Sequence, residues 1–248
     1  MHRFFVSGEN IRGGRVTFDA GEARHIERVL RLGVGDTVTV FDGSGWEYLV
    51  RLNPNNNNRL TGEVVGKESK DREAATSLYL VQGLGKGDKM ETIIRKAVEI
   101  GVKAVYPLAC ERSVVRLEGD KALKKVERWQ EIAVEACKQC RRNVVPEIKP
   151  VMEYAKLWPE IAGRQALMLY ENEQDLSLGS FLKQQRQDLA GAEVFLLIGP
   201  EGGFSPLEVE LAGRHGCPAV TLGPRILRTE TAGIVASSII LYELGELG

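Results

Sequence analysis

Two apolar runs near the C-terminus each stop at Gly-Pro and restart as a helix, an arrangement that leaves few folds open. The first reads Val194-Phe-Leu-Leu-Ile-Gly-Pro-Glu-Gly-Gly-Phe-Ser-Pro206, followed by Leu-Glu-Val-Glu-Leu-Ala. The second reads Ala219-Val-Thr-Leu-Gly-Pro-Arg-Ile-Leu-Arg-Thr-Glu-Thr-Ala232, followed by Gly-Ile-Val-Ala-Ser-Ser-Ile-Ile-Leu. A buried strand that ends in Gly-Pro presents backbone amides and carbonyls at the carboxyl edge of its sheet, where open α/β sheets bind ligands. A lone Gly-Pro marks only a turn. Here the second loop sets Arg225, Arg228, Thr229, Glu230 and Thr231 between an apolar strand and an apolar helix. Charges in such a place are costly unless paired or used. The two loops therefore read as the lining of one pocket.

The same alternation extends upstream to about residue 74. Residues 78–81 read as a strand, and residues 90–100 as an amphipathic helix with Ile93, Ile94, Ala97 and Ile100 on one side. A strand at 105–108 and a long helix over 120–142 follow, the latter striped by Val126, Trp129, Ala133, Ala136, Cys137 and Cys140. Residues 166–170, 194–198 and 219–222 complete the set of buried strands. Strands alternating with helices indicate a mostly parallel sheet covered by helices.

Residues 1–70 have a different texture. Short alternating runs such as Arg15-Val-Thr-Phe and Thr37-Val-Thr-Val-Phe are strand-like and are bounded by glycine turns, with one helical stretch at 20–32. Residues 53–58 read as a turn, and the charge-dense segment 66–73 as the linker. This half reads as a small β-barrel with one helix, ahead of an α/β domain over 74–248.

Composition excludes several classes. In 248 residues, 43% hydrophobic and 27% charged, no apolar run approaches a membrane span and no secretory signal opens the chain. A cytoplasmic location is the expectation. Four cysteines make no disulfide framework, and Cys137-Lys-Gln-Cys140 lies within a helix with no second pair, so structural thiols are expected and no metal. The net charge of −1 announces no nucleic-acid binder, but Arg3, Arg12, Arg15, Arg24, Arg28 and Arg31 form a local basic group. Gly83-Leu-Gly-Lys-Gly-Asp-Lys89 completes neither the phosphate-loop nor the dinucleotide pattern, which disfavours a dehydrogenase-like enzyme. Lys86 and Lys89 can still meet RNA phosphates.

GPEGGFSPLEVELA and LGPRILRTETA resemble the motifs of the small-subunit ribosomal RNA uridine-N3 methyltransferases of the SPOUT (trefoil-knotted) superfamily. The likeness continues through Met1-His-Arg-Phe-Phe, His25-Ile-Glu-Arg-Val-Leu-Arg-Leu, Glu111-Arg-Ser-Val-Val and Glu135-Ala-Cys-Lys-Gln-Cys-Arg-Arg, and covers essentially the whole chain. It implies a PUA-like RNA-binding β-barrel over 1–70 and a knotted methyltransferase domain over 74–248. The knot comes from the resemblance alone, since chain threading is too rare to argue from pattern.

By the same resemblance S-adenosylmethionine is the cofactor. It is held by Glu171, Ile198, Gly199, Pro200, Glu201, Gly202, Gly203, Leu222, Gly223, Ile226, Leu227 and Thr231. Arg228 and Glu230 are the catalytic pair, the first stabilising charge and the second serving as base or anchor. Ribosomal RNA, naked or in the assembled subunit, meets Arg3, His25, Arg28, Arg31, Lys86, Arg112, Gln139 and Arg142. The family pattern has glycine at Arg141, so that role passes to Arg142. A homodimer is implied as well. Two other readings compete: a SPOUT enzyme acting on a ribose 2′-hydroxyl or another base, and a non-catalytic RNA-binding assembly factor.

Overall fold

In the computed structural model, which describes residues 2–54 and 59–247, the chain forms two units. One comprises Met1–Glu73 with Cys137–Val145, the other Ala74–Ala136 with Pro146–Gly248.

The first unit is built on strands β1 (Arg3–Phe5), β2 (Ile11–Arg12), β3 (Arg15–Thr17), β4 (Thr37–Phe41), β5 (Trp46–Leu52) and β6 (Thr61–Ser69). They pair in the order β1-β4-β5-β6-β3-β2 and curl into a half-barrel. All pairings are antiparallel except β1 with β4. Period-two alternation sends Val16, Val38, Val40, Val50 and Leu52 inward with Phe4 and Phe18. Helix α1 (Ala20–Arg24) is capped by Asp19, whose carboxylate accepts the Glu22 amide at 2.8 Å. It continues as a wider turn over His25–Val29, and Arg31, at φ 56°, ends it. The single helix expected over 20–32 is thus two windings.

The expected linker is corrected too. Residues 66–69 pair along β5, with the Lys67 ammonium 4.1 Å from the Trp46 ring centre, so strand structure persists to Ser69. The turn expected at 53–58 falls largely on residues 55–58, outside the described residues.

The second unit carries a seven-stranded, wholly parallel sheet. Its elements are β7 (Ser77–Gly83), α2 (Lys89–Ile100), β8 (Ala104–Ala109), α3 (Gly119–Cys140), β9 (Glu147–Ile148), β10 (Met152–Glu153), α4 (Tyr154–Glu160), β11 (Gln165–Leu169), α5 (Leu178–Leu189), β12 (Glu193–Ile198), α6 (Pro206–Arg214), β13 (Ala219–Val220) and α7 (Thr229–Glu243). The strand order is β10-β8-β7-β12-β11-β13, with β9 beside β8. The last four residues of α3 are counted with the first unit.

Unbroken apolar strands belong where helices cover both faces, and every residue of β12 after Glu193 is buried. Phe195 stacks on Tyr79 at 4.5 Å within the core. Helix α6 starts from a capping box: the Glu208 amide donates to Ser205 Oγ at 3.3 Å and the Ser205 amide to Glu208 Oε2 at 2.8 Å, with Pro206 in the first turn. Such a cap is worth about 1 kcal/mol. The Ser-Pro-Leu-Glu part of the first motif is therefore a helix start. Residues 154–160 and 178–189, which sequence periodicity did not single out, are helical.

No helix is long and apolar enough to cross a membrane among the described residues, and no group of three or more His, Cys, Asp or Glu is placed there to hold a metal ion. Cys110, Cys137 and Cys217 are buried free thiols, and burial pushes Cys217 up to about 12. Cys140 is a free thiol that is half-buried where the other three are buried, and the neighbouring Cys137 thiol holds its pKa below the ordinary thiol value.

Candidate functional site

Because the sheet is parallel, β7, β11, β12 and β13 deliver their carboxyl ends to one edge. The loops that leave β11, β12 and β13 there surround a cleft of about 1010 Å³. Residues 169–171, 198–203 and 220–229 form its walls, with Glu173, Gln174, Ser177, Lys89 and Ala232. The loops hold one another in place. The Thr221 amide donates to the Leu176 carbonyl and the Leu178 amide to the Thr221 carbonyl, each at 2.9 Å. The Gly203 amide closes a turn on the Pro200 carbonyl at 3.0 Å.

Glycine is required here by close approach. A Cβ on Gly83 would collide with Pro200, and one on Gly203 with the Glu171 carboxylate. Gly203 also has φ 68°, in the left-handed region. A Cβ on Gly202 would lie 2.9 Å from Arg112 Cβ and 3.0 Å from its carbonyl oxygen. The bare backbone of Gly202 thus makes room for Arg112.

Charge is concentrated at one side of the cleft. Lys89 stands 3.1 Å from Glu201 Oε1 and 3.3 Å from Glu230 Oε2. Hydrogen bonding to Glu201, helped by Glu230, raises the Lys89 pKa and outweighs the opposing effect of desolvation. Glu201 is pushed up by burial, but the Lys86 amide at 2.9 Å and Lys89 outweigh this and lower its pKa. Glu230 therefore holds Lys89, neither of the loop arginines. Arg228 is exposed on the cleft wall and has no ion-pair partner among the described residues. Ile226 stands 83% exposed on the same wall, an apolar side chain with nothing over it.

A family model for an RNA methyltransferase domain matches residues 72–241, and one for an RNA methyltransferase PUA domain matches residues 18–65. The chain belongs to this RNA methyltransferase family. It is 35% identical to ribosomal RNA small subunit methyltransferase E of Bacillus subtilis over 224 residues, 90% of this chain and 88% of the relative. The crystal structure of the Neisseria gonorrhoeae protein of that name, bound to S-adenosylmethionine, superposes with a TM-score of 0.86 at 32% identity, covering 98% of this chain and 97% of the other. A methyltransferase from Legionella pneumophila in complex with the same cofactor gives 0.85 at 31% identity, covering 97% and 96%. The fold is the SPOUT-type α/β methyltransferase fold preceded by a PUA-like half-barrel.

Within this family fold, the cleft gathers Glu171, Ile198, Gly199, Pro200, Glu201, Gly202, Gly203, Leu222, Gly223, Ile226, Leu227 and Arg228. Thr231 is not part of its lining: it is the third residue of α7, exposed. Nor is Glu230, which reaches the cleft only through Lys89. Tyr170, Thr221, Arg225 and Thr229 were not singled out as binding residues from sequence, although three of them sit in or beside the second motif.

The residues expected to meet RNA divide sharply. His25, Arg28, Arg31, Lys86 and Gln139 are exposed. Arg3 is not available: its guanidinium donates to Glu47 at 2.9 Å, to the Arg142 carbonyl at 3.0 Å and to Asn143, and lies 4.3 Å over the Phe41 ring. Arg142 is 4% exposed and bonded bidentately to Glu73. Arg112 donates to the carbonyls of Gly202 and Phe204, both at 3.3 Å, and braces the cleft loop. Arg3 and Arg142 are thus corrected to structural partners, each held by an acceptor within its own unit, whereas Arg112 braces the loop and is still exposed. Arg141 sits just past α3 at φ 68°, its amide on the Cys137 carbonyl at 3.0 Å. That left-handed position accounts for the family's glycine there.

Proposed function

We propose that the chain methylates N3 of a uridine in small-subunit ribosomal RNA, with S-adenosylmethionine as methyl donor. The observation that carries this reading is a strand-end cleft walled by backbone and apolar groups, with an uncommitted arginine on its wall. The residues suit the cofactor. Ile226, Leu222 and Leu227 offer apolar contact for a nucleoside, main-chain groups of residues 199–203 can read its polar edge, and Glu171 and Glu201 complement a cation. When bound, that cofactor supplies an electrophilic sulfonium methyl group.

Uridine N3 carries a proton and lies on the Watson–Crick edge, so the base must be unpaired to enter. When N3 gives up its proton to water, negative charge spreads over N3 and the flanking carbonyl oxygens, and it is neutralised as N3 takes the methyl group and the sulfonium's sulfur–carbon bond breaks. Arg228 is the group we assign to meet that charge, since a fixed guanidinium aimed at developing charge stabilises the transition state most. The ion pair with Lys89 favours Glu230 as an anchor over a proton acceptor. Residues 1–70 serve as the RNA-docking domain and 74–248 as the catalytic one. His25, Arg28, Arg31, Lys86 and Gln139 contact the RNA. The protein works in the cytoplasm as a homodimer, a state that light scattering at micromolar concentration reads directly.

The test is incubation of purified protein and labelled cofactor with under-modified small subunits and, separately, with naked RNA, followed by mass mapping. N3-methyluridine at a single position is expected. A methyl group on a ribose 2′-oxygen or another base would move the chain elsewhere in the superfamily. Cofactor binding without transfer to any RNA would favour an assembly factor.

A further inference from the structure

Strand β7 has one polar side chain among its buried residues. Gln82 is 0% exposed, between Val81 and Gly83 and beyond the apolar Leu78 and Leu80. Its Nε2 donates to the Gly83 carbonyl at 3.0 Å and to Thr229 Oγ1 at 2.9 Å. Thr229 Oγ1 donates in turn to the Gly199 carbonyl at 2.6 Å. The direction is fixed, because an amide nitrogen only donates and a carbonyl oxygen only accepts. Gln82 Oε1 is buried and has no hydrogen-bond partner among the described residues. A leucine would avoid that cost, so stability alone gives no reason for glutamine here.

The surroundings are shaped to bring the three residues together. A Cβ on Gly83 would strike Pro200, and one on Gly199 would stand 3.2 Å from Gly203 Cα. One on Gly233, on the facing side of α7, would be 3.3 Å from Gln82 Oε1. Thr229 is the first residue of α7, and the preceding Arg228 has extended backbone whose carbonyl receives the amides of Thr231 and Ala232, both at 2.8 Å. Fixing Thr229 therefore fixes where Arg228 leaves the helix.

We propose that Gln82 and Thr229 are positioning residues of the methyl-transfer site. Their two-bond relay sets the Gly199–Pro200 turn against the start of α7, and so aims Arg228 across the cleft. This rests on the reading of the cleft as the methyl-transfer site. Neither side chain touches the reacting atoms. Their effect is to hold a loop and an arginine in register, where a displacement near 1 Å can cost about a hundredfold in rate.

The test compares Thr229→Val, Thr229→Ser, Gln82→Leu and the Gln82→Leu/Thr229→Val double variant. Three quantities are read: cofactor Kd by calorimetry, single-turnover methylation of under-modified subunits at saturating cofactor, and Tm. Thr229→Val keeps the shape and loses the hydroxyl. Its rate should fall about ten- to a hundredfold, with a smaller loss of cofactor affinity. Thr229→Ser should stay within about threefold of wild type, since the relay is retained. The double variant should be no slower than its slower parent, because both parents break one network. The proposal is overturned by a Thr229→Val rate and Kd within twofold of wild type. It is equally overturned by a serine variant as slow as the valine one, by losses that multiply in the double variant, or by rates that only follow Tm. Should wild type bind cofactor and methylate no RNA, the functional reading fails, while an unchanged Kd in the variants would still defeat the relay.

Discussion

Arg228 on the cleft wall and Arg112 behind the cleft loop illustrate how two arginines separate by what already holds them. Arg112 is engaged by two loop carbonyls, whereas Arg228 stands exposed. Arg228→Ala should lower the single-turnover rate by roughly two to three orders of magnitude, with cofactor Kd changed far less. Arg228→Lys should recover only part of this, because an ammonium lacks the planar fork. Glu230→Gln should leave the pH–rate profile in place and loosen Lys89; a shifted profile would restore Glu230 as the base. A stability measurement suits Arg141: Arg141→Gly relieves a left-handed residue and should raise stability by about 0.5–1 kcal/mol in chemical denaturation. The arginines were legible in the sequence as charges, but their partners were not. Glu73 and Arg142 are separated by 69 positions, and nothing local in either segment announces their pairing.

Elements were read well where a pattern is local. The strand at 194–198 and the helix after Arg228 follow from apolar runs and turn chemistry. Helix α5 escaped because its exposed face, rich in Gln, Arg and Lys, masks the spacing of Leu178, Phe181, Leu182 and Leu189. The cleft was legible as two loops, with Glu171 of the third brought to it by the resemblance; the Lys89 bridge depends on strand order, which periodicity does not encode. Gly202→Val should abolish cofactor binding in calorimetry with the fold intact, because the new side chain displaces Arg112 and with it the loop. Unchanged affinity would place the binding loop elsewhere. On the half-barrel, burial pushes Glu47 up, but Lys70, Arg3 and Arg72 outweigh it and hold its pKa at about 2, below its ordinary 4.5. Its stabilisation is complete above pH 4.5 and is lost as pH falls toward 2. Tm measured across that window should fall more steeply for wild type than for Glu47→Gln.

For the whole molecule, bulk charge is a poor guide. A net charge of −1 coexists with exposed His25, Arg28 and Arg31 in one unit. Arg28→Gln with Arg31→Gln should weaken RNA binding and lower the slope of log K against log salt by about 1.4–1.8, while cofactor Kd stays put. A slope equal to wild type would remove these residues from the RNA contact. The half-barrel also draws on chain from two distant stretches: Arg3 and Glu73 find Asn143 and Arg142 in the returning segment Cys137–Val145. During synthesis the ribosome releases Glu73 about seventy residues before those partners emerge. The unit that leaves the exit tunnel first therefore completes its charge network late: in a nascent chain stalled before residue 137, Arg3 has Glu47 and the Phe41 ring but not Asn143, and Glu73 lacks Arg142.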